Sequence, residues 1–453
     1  MIKLDSYSAT IMRKFERHSK YLLGSSSSLK RELLRGFSGM AGAKFVNLVL
    51  AFVSSMMLAR ILGPDVYGAY AFIMSVIAFL ALLSYIGLPA LMTREISKYE
   101  QSNNWGLIRG MLLRSNQLVS GVSILIVLML AALSMTFSST SELDRWQLLL
   151  IALPIVPLVA HIKLMMATLR GFKRIVAGVV PELIIRPCVF LVALSCLLFV
   201  GQVNVDVVIF LQVVAALVAA VVGYKLVRKE TATNIKIAAI EYRDKDWILA
   251  LIPFIGLAGV SFLNVEFINI FLGLAGTNHD VAMFRIAANI AVFVALPLTL
   301  IESVISPYIT RLYHSGDIDK LQKLAQVASL ASLLASAVPA IVLLLFGTEI
   351  ITILYGADYE IAYSPLVVII SGYMVVNLVG LSMQLLYATE YHTSAFRISL
   401  YGAFITVLIC SFLIPVYGAL GAGIALGFGK ALRSVLYVAE ARRLLKIKTS
   451  LIW

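Results

Sequence analysis

From Gly39 onward the chain alternates between long apolar runs and short polar breaks. The runs fall at 39–61, 68–91, 115–137, 147–169, 178–200, 205–227, 247–273, 281–303, 324–346, 363–387, 395–415 and 417–438. Each is about 20 residues or longer, the length a helix needs to cross the hydrocarbon core of a bilayer. The pattern predicts twelve membrane-spanning helices. The break between the last two is the faintest, marked only by Pro415-Val416-Tyr417-Gly418. Ahead of the first run the chain is polar and basic. There Ser25 to Ser28 reads as a flexible joint. Tyr7 to Leu23 reads either as a short amphipathic helix on the membrane surface or as a plain tail.

The basic residues test this count. With the N-terminus placed in the cytoplasm, 29 of the 37 Lys and Arg fall in the termini and loops of that side. The opposite loops hold Arg145 alone. Cytoplasmic loops carry the excess of Lys and Arg, so the split supports twelve spans with both termini cytoplasmic. The longest inner loop, about Lys225 to Asp246, separates six spans from six. An even number per half gives the halves the same orientation. The expected fold is therefore an all-α polytopic membrane protein with two six-helix lobes related by a parallel pseudo-two-fold repeat. Its expected parts are a basic N-terminal segment (1–37), an N-lobe (38–228), an inter-lobe loop (229–246), a C-lobe (247–440) and a cytoplasmic tail (441–453).

Composition narrows the class further. Hydrophobic residues make up 60% of the chain, charged residues 13%, and mean hydropathy is +0.94. A soluble domain is about half apolar and about a quarter charged. An ordinary soluble enzyme, a disulfide scaffold and a disordered chain are thereby excluded. A net charge of +13 would suggest nucleic acid on a soluble chain, but here the basic loops account for it. Cys188, Cys196 and Cys410 all lie in apolar runs with no CxxC spacing, so neither a disulfide framework nor a zinc site is indicated. No cofactor and no metal are expected.

Charges inside spans are costly and usually face a cavity or a partner. The cations are Lys44, Lys163, Arg186, Arg285 and Lys430, with Arg433 beside the last; the acids are Glu182, Glu266 and Glu302. A cavity fitted to a drug cation should carry unpaired carboxylates. One fitted to a diphosphate should carry cations, which donate charge-assisted hydrogen bonds. The excess is cationic, so Lys44, Lys163, Arg186, Arg285 and Lys430 are the candidate cavity cations, and Glu266 and Glu302 the candidate coupling acids. Asn47, Asn264 and Asn289 are the candidate neutral polar groups. Lys44 leads because it shares a helical stripe with Asn47, Ala51 and Ser54/Ser55. Plainer readings stand beside these. Lys163 can snorkel toward Arg170 and Lys173. Glu182 and Arg186, four apart, can neutralise each other. Lys430 and Arg433 can mark an earlier end of the last span, and Arg60 reads as an interfacial anchor. Pro253, Gly256 and Gly259 predict a bend in the seventh span.

Several segments together resemble one family. Leu58-Ala59-Arg60-Ile61-Leu62-Gly63-Pro64-Asp65-Val66-Tyr67-Gly68 is similar to the end of the first span in Wzx-type polysaccharide flippases. Ile86-Gly87-Leu88-Pro89 with Thr93-Arg94-Glu95 resembles the end of their second span, and Pro307-Tyr308-Ile309-Thr310-Arg311 the matching second-lobe segment. Tyr355-Gly356-Ala357-Asp358-Tyr359 and Tyr417-Gly418-Ala419-Leu420-Gly421-Ala422 resemble the elements opening the tenth and last spans. The resemblance covers about residues 35–440. It implies a V-shaped two-lobe transporter of the multidrug/oligosaccharidyl-lipid/polysaccharide exporter superfamily, rocking between inward- and outward-facing states. It also implies a bacterial inner-membrane flippase for an undecaprenyl-diphosphate-linked oligosaccharide, serving O-antigen, capsule or exopolysaccharide synthesis. Partners would be that lipid, the surrounding bilayer and other polysaccharide-assembly membrane proteins. Two alternatives from the same superfamily remain. A cation-coupled multidrug exporter would need a free acid in the first lobe, where Glu182 is the intramembrane acid. A lipid II flippase usually has fourteen spans.

Overall fold

The computed structural model describes residues 27–136, 143–201, 203–231, 235, 237–262 and 266–445. Among the described residues the regular structure is entirely helical, and nine helices are long and apolar enough to cross a membrane. The helices of the first half are α1 (Ser27–Tyr85), α2 (Leu88–Gln101), α3 (Trp105–Thr136), α4 (Leu143–Ala152), α5 (Ile155–Gly171), α6 (Ile175–Val180), α7 (Arg186–Val200) and α8 (Val205–Glu230). In the second they are α9 (Asp244–Phe262), α10 (Glu266–Ala275), α11 (Asn278–His314), α12 (Ile318–Tyr355), α13 (Tyr363–Val379), α14 (Ser382–Ala388) and α15 (His392–Leu445). Where their residues are described, the expected spans fall on this helical series. Tyr7 to Leu23 lies outside the described residues, and α1 already runs through Ser27 and Ser28, where a joint was expected.

Two of the long helices are hairpins. Ser55 and Tyr67 would stand about 18 Å apart on a straight helix, yet their hydroxyls hydrogen-bond at 2.8 Å. The reversal is at Gly63, with φ 73° and ψ 170°. Its first arm carries the first expected span and its second arm most of the second, whose end passes Gly87 (φ 73°) onto α2. Likewise α15 brings Ser399 onto Tyr437 and Gly402 onto Arg433, folding at Gly418 (φ 49°, ψ −124°). Its arms are the last two expected spans, separated where Pro415 to Gly418 gave the faint signal. Gly63 has open space where a Cβ would sit, so only backbone strain opposes a side chain there. Gly63→Ala is expected to cost about 1–3 kcal/mol, seen as a lower Tm of the detergent-solubilised protein. An unchanged Tm would mean the reversal tolerates an L-residue.

Proline and glycine also divide expected spans. The fourth is split at Leu153-Pro154 between α4 and α5, and the tenth at Gly380 (φ 73°) between α13 and α14. The seventh is covered by α9 and α10. The bend expected at Pro253 is not where the chain departs from helix. α9 runs through Pro253 to Phe262, and residues 263–265, including Asn264, lie outside the described residues.

The apolar cores define the shape. At the Gly63 end one core joins both halves, with Leu58, Tyr67 and Phe72 packed in the same cluster as Phe284, Tyr355 and Tyr359. At the opposite end, near Arg94, the halves have separate cores. One gathers Leu91, Ile96, Ile108 and Leu164; the other gathers Ile309, Leu321, Leu385 and Tyr437. A bundle with a shared core at one end and divided cores at the other is a V. Trp247, Leu251 and Phe254 of α9 belong to the first-half core, and the Trp247 indole N–H donates to the Tyr99 hydroxyl at 3.0 Å. The start of the expected C-lobe thus rests on the first half.

Hydrogen bonds tie the halves together at the Gly63 end. Arg60 donates through Nε to the Leu354 carbonyl at 2.8 Å and through Nη2 to that of Ile353. These carbonyls end α12, where a cation satisfies both open acceptors and the helix dipole. Arg60 is therefore a helix cap between the halves rather than a lipid-interface anchor. Arg145 donates to the Gly273 carbonyl (3.1 Å) and Asn278 Oδ1 (2.9 Å), with its guanidinium 5.4 Å from the Phe72 ring centre. Tyr359 Oη donates to the Ala59 carbonyl at 2.7 Å.

Candidate functional site

The V encloses two adjoining chambers, of 360 Å³ toward the Gly63 end and 280 Å³ toward the Arg94 end. Met74, Glu182, Arg186 and Arg285 line both and so form the partition between them. The lining of the first comes from five places in the chain. The first arm of α1 supplies Asn47, Ser54 and Ser55; the second supplies Tyr67 and Tyr70. The segment opening α7 supplies Glu182 and Arg186, α8 supplies Gln212, and α11 supplies Arg285 and Asn289. Lys163 of α5 and Glu266, which opens α10, join from the second chamber.

The partition owes its electrostatics to a local change of helix type. Residues Pro181–Ile185 form a π-turn, in which the Arg186 N–H bonds back five residues to the Pro181 carbonyl. Pro187 follows, and without an N–H it cannot restore the α pattern at once. Such turns are common at functional sites. On a regular helix Glu182 and Arg186 would be neighbours four apart. Here Glu182 instead pairs with Lys163 at 2.6 Å. Glu266 pairs with Arg285 at 3.3 Å and accepts from Ser75 Oγ at 2.6 Å. Arg186 lines both chambers with no ion pair among the described residues. Three cations thus face two carboxylates, both carboxylates are engaged, and one guanidinium is left open to a bound anion.

Orphaning one member of a buried ion pair costs about 3–5 kcal/mol. Lys163→Met is expected to cost less, because Glu182 already acts electrostatically on Arg186 and can turn to it. Lys163→Met combined with Arg186→Gln should show the full loss in Tm, and simple additivity of the two changes would exclude this exchange.

Among the sequence candidates, Lys163, Arg186, Arg285, Glu266, Asn47 and Asn289 line the chambers. Lys44 is exposed, one helical turn short of Asn47, and lines neither. Lys430 sits over the Tyr373 ring at 4.8 Å, within the second half. Glu302 is half-buried farther along α11, away from both chambers. His161 of α5 contacts the Pro157 carbonyl (2.7 Å) and Ser120 Oγ (3.1 Å). Sequence reasoning missed Tyr67, Tyr70 and Gln212. Tyr67 belongs to a motif read only for its likeness to the end of a span, and Tyr70 lies two residues beyond it. A single amide in the middle of the run 205–227, whose charges Asp206 and Lys225 lie near its ends, was the available signal for Gln212.

The same architecture occurs in solved transporters. A multidrug resistance MATE family transporter of the MOP superfamily, in its inward-facing conformation, matches with a TM-score of 0.71 and 13% identity, over 88% of this chain and 94% of its own. The lipid II flippase MurJ, in an inward closed conformation, matches with a TM-score of 0.71 and 13% identity, over 90% and 87%. An outward-facing conformation of a multidrug resistance MATE family transporter gives a TM-score of 0.65 at 13% identity, over 91% and 96%. These likenesses concern the fold. No curated protein matches the chain in sequence. The family model described as "Polysaccharide biosynthesis protein" matches residues 33–313, well over half of the chain, and the protein, a multi-pass membrane protein with the fold of MOP superfamily transporters, belongs to that family.

Proposed function

We propose that this protein is a flippase. It moves an undecaprenyl-diphosphate-linked oligosaccharide across the bacterial inner membrane by alternating access between lobes 38–228 and 247–440. The observation that carries this reading is Arg186, an intramembrane guanidinium unpaired among the described residues and set between two satisfied ion pairs. A guanidinium fork matches phosphate oxygens bidentately. A cation substrate would find both chamber carboxylates already occupied, which argues against the multidrug reading. The basic loops favour a cytoplasmic position for the Arg94 end, where the cores are divided, and for both termini. The diphosphate would meet Arg186 from that side while the lipid tail stays in the bilayer. Glu266 is suited to coupling, since its protonation would weaken the bond to Arg285 and expose a second cation. Glu302 is the other candidate acid. The sugar backbone, whether O-antigen, capsule or exopolysaccharide, follows from the assembly proteins it works with.

The test is reconstitution of the purified protein into liposomes with a labelled undecaprenyl-diphosphate oligosaccharide, with and without a proton gradient. Protein-dependent translocation is the expected result, and dependence on the gradient would point to the acids. Absence of translocation across several glycans, together with efflux of a cationic dye, would favour the exporter reading.

A further inference from the structure

We infer that the chamber toward the Gly63 end is a saccharide site, so that the headgroup occupies the cavity sugar-foremost with its diphosphate at the Arg186 partition. The inference rests on the flippase reading and adds an orientation and a set of specificity residues to it.

The two chambers differ in chemistry. Beyond the partition and the paired Lys163 and Glu266, the chamber toward the Arg94 end is walled mainly by Ile77, Ala81, Ile155 and Val159, with Tyr85 as its neutral polar side chain. The other is walled by amides and phenols, arranged in two short relays. Asn289 Nδ2 donates to Ser55 Oγ at 2.9 Å, and Ser55 shares a 2.8 Å bond with the Tyr67 hydroxyl. Gln212 Nε2 donates to the Tyr70 hydroxyl at 2.9 Å. The two tyrosine rings are stacked, with centres 6.3 Å apart and planes 26° from parallel.

Each relay leaves capacity facing the space. An amide has two N–H groups and a carbonyl. Gln212 and Asn289 therefore each keep an acceptor and a second donor, and Tyr70, accepting from Gln212, keeps its own proton to give. A sugar hydroxyl must both donate and accept. A neutral wall of mixed donors and acceptors satisfies it, whereas a cation wall satisfies only acceptors. A phosphate has the reverse need, which the partition meets. A volume of 360 Å³ falls in the range of small-molecule sites. Gln212 belongs to the first half and Asn289 to the second, so a sugar held by both bridges the V. Recognition of the sugar is then coupled to the relative position of the lobes, which a site on one lobe would not achieve.

The experiment measures binding to the purified full-length protein in detergent, using two probes: undecaprenyl diphosphate bearing an oligosaccharide, and undecaprenyl diphosphate alone. Gln212→Met removes the amide at similar length. Tyr70→Phe keeps the ring and removes only the hydroxyl, so it queries the same wall without a packing change. Each is expected to weaken the glycosylated lipid about 3- to 10-fold, the worth of a neutral hydrogen bond of about 1 kcal/mol. Neither should alter binding of the bare diphosphate, which also reports that the variant is folded. Equal weakening of both probes at wild-type Tm, or weakening of neither, overturns the saccharide site. Failure of the wild-type protein to bind either probe overturns the flippase reading instead.

Discussion

Arg186→Gln is expected to reduce translocation of a diphosphate-linked lipid about 10- to 100-fold. A hydrogen bond to a charged group contributes about 1.5–3 kcal/mol, and the unpaired guanidinium is the group placed to give it. The same change should leave Tm unchanged or slightly raised, because it removes a desolvated charge that lacks an ion pair among the described residues. Activity and stability therefore move apart, which a structural role for Arg186 would not produce. Arg186→Lys should fall between wild type and Arg186→Gln, since it keeps the charge and loses the bidentate fork. Lys44→Ala should do less harm than Arg186→Gln, because Lys44 is exposed outside both chambers. Translocation by Arg186→Gln at the wild-type rate would remove the diphosphate from this partition.

The ranking of these two cations shows what a sequence conveys about such a protein. Span length is a property of consecutive residues, so the helical series from 39 to 438 could be drawn without coordinates. The reversal at Gly418 was legible for the same reason, although its signal was four residues long. Ion pairing depends on which helix faces meet. Lys44 and Asn47 share a helical stripe, yet only Asn47 reaches the chamber. Glu182 and Arg186 have the spacing of an α-helical pair, but the π-turn that separates them is announced only by Pro181 and Pro187. Lys163, which takes Arg186's place beside Glu182, had been equally consistent with snorkelling. Arg60 is similar. Its position at the end of a span was clear, but its partners lie nearly 300 residues away.

Gly68→Leu and Gly273→Leu are each expected to hold the transporter open at the Gly63 end and to reduce translocation at least about tenfold. A Cβ on Gly68 would lie 1.7 Å from the Asn278 carbonyl oxygen, and one on Gly273 would lie 2.1 Å from the Phe72 ring. Both contacts cross between the halves; at Gly68 the obstruction is backbone, so a leucine there requires the halves to separate, and at Gly273 it must displace the Phe72 ring on the facing half. Separation also breaks the bonds of Arg60, Arg145 and Tyr359 that join the same ends. Losing two or three of them, at about 1 kcal/mol each, shifts a two-state equilibrium about 30- to 150-fold. Ser54 is the reporter, because it is buried in the chamber toward that end. In a chain with Cys188, Cys196 and Cys410 replaced by alanine, Ser54→Cys should resist a membrane-impermeant maleimide added outside the cell. Adding Gly68→Leu or Gly273→Leu should raise its labelling at least about tenfold. Paired arginine variants, Arg60→Ala with Arg145→Ala, should raise it in the same direction by a smaller factor, since they remove the bonds without forcing the gap. Unchanged labelling in a leucine variant that retains its wild-type Tm would mean that the Gly63 end is not the outer gate, and that the lobes exchange access by some motion other than parting at this seam.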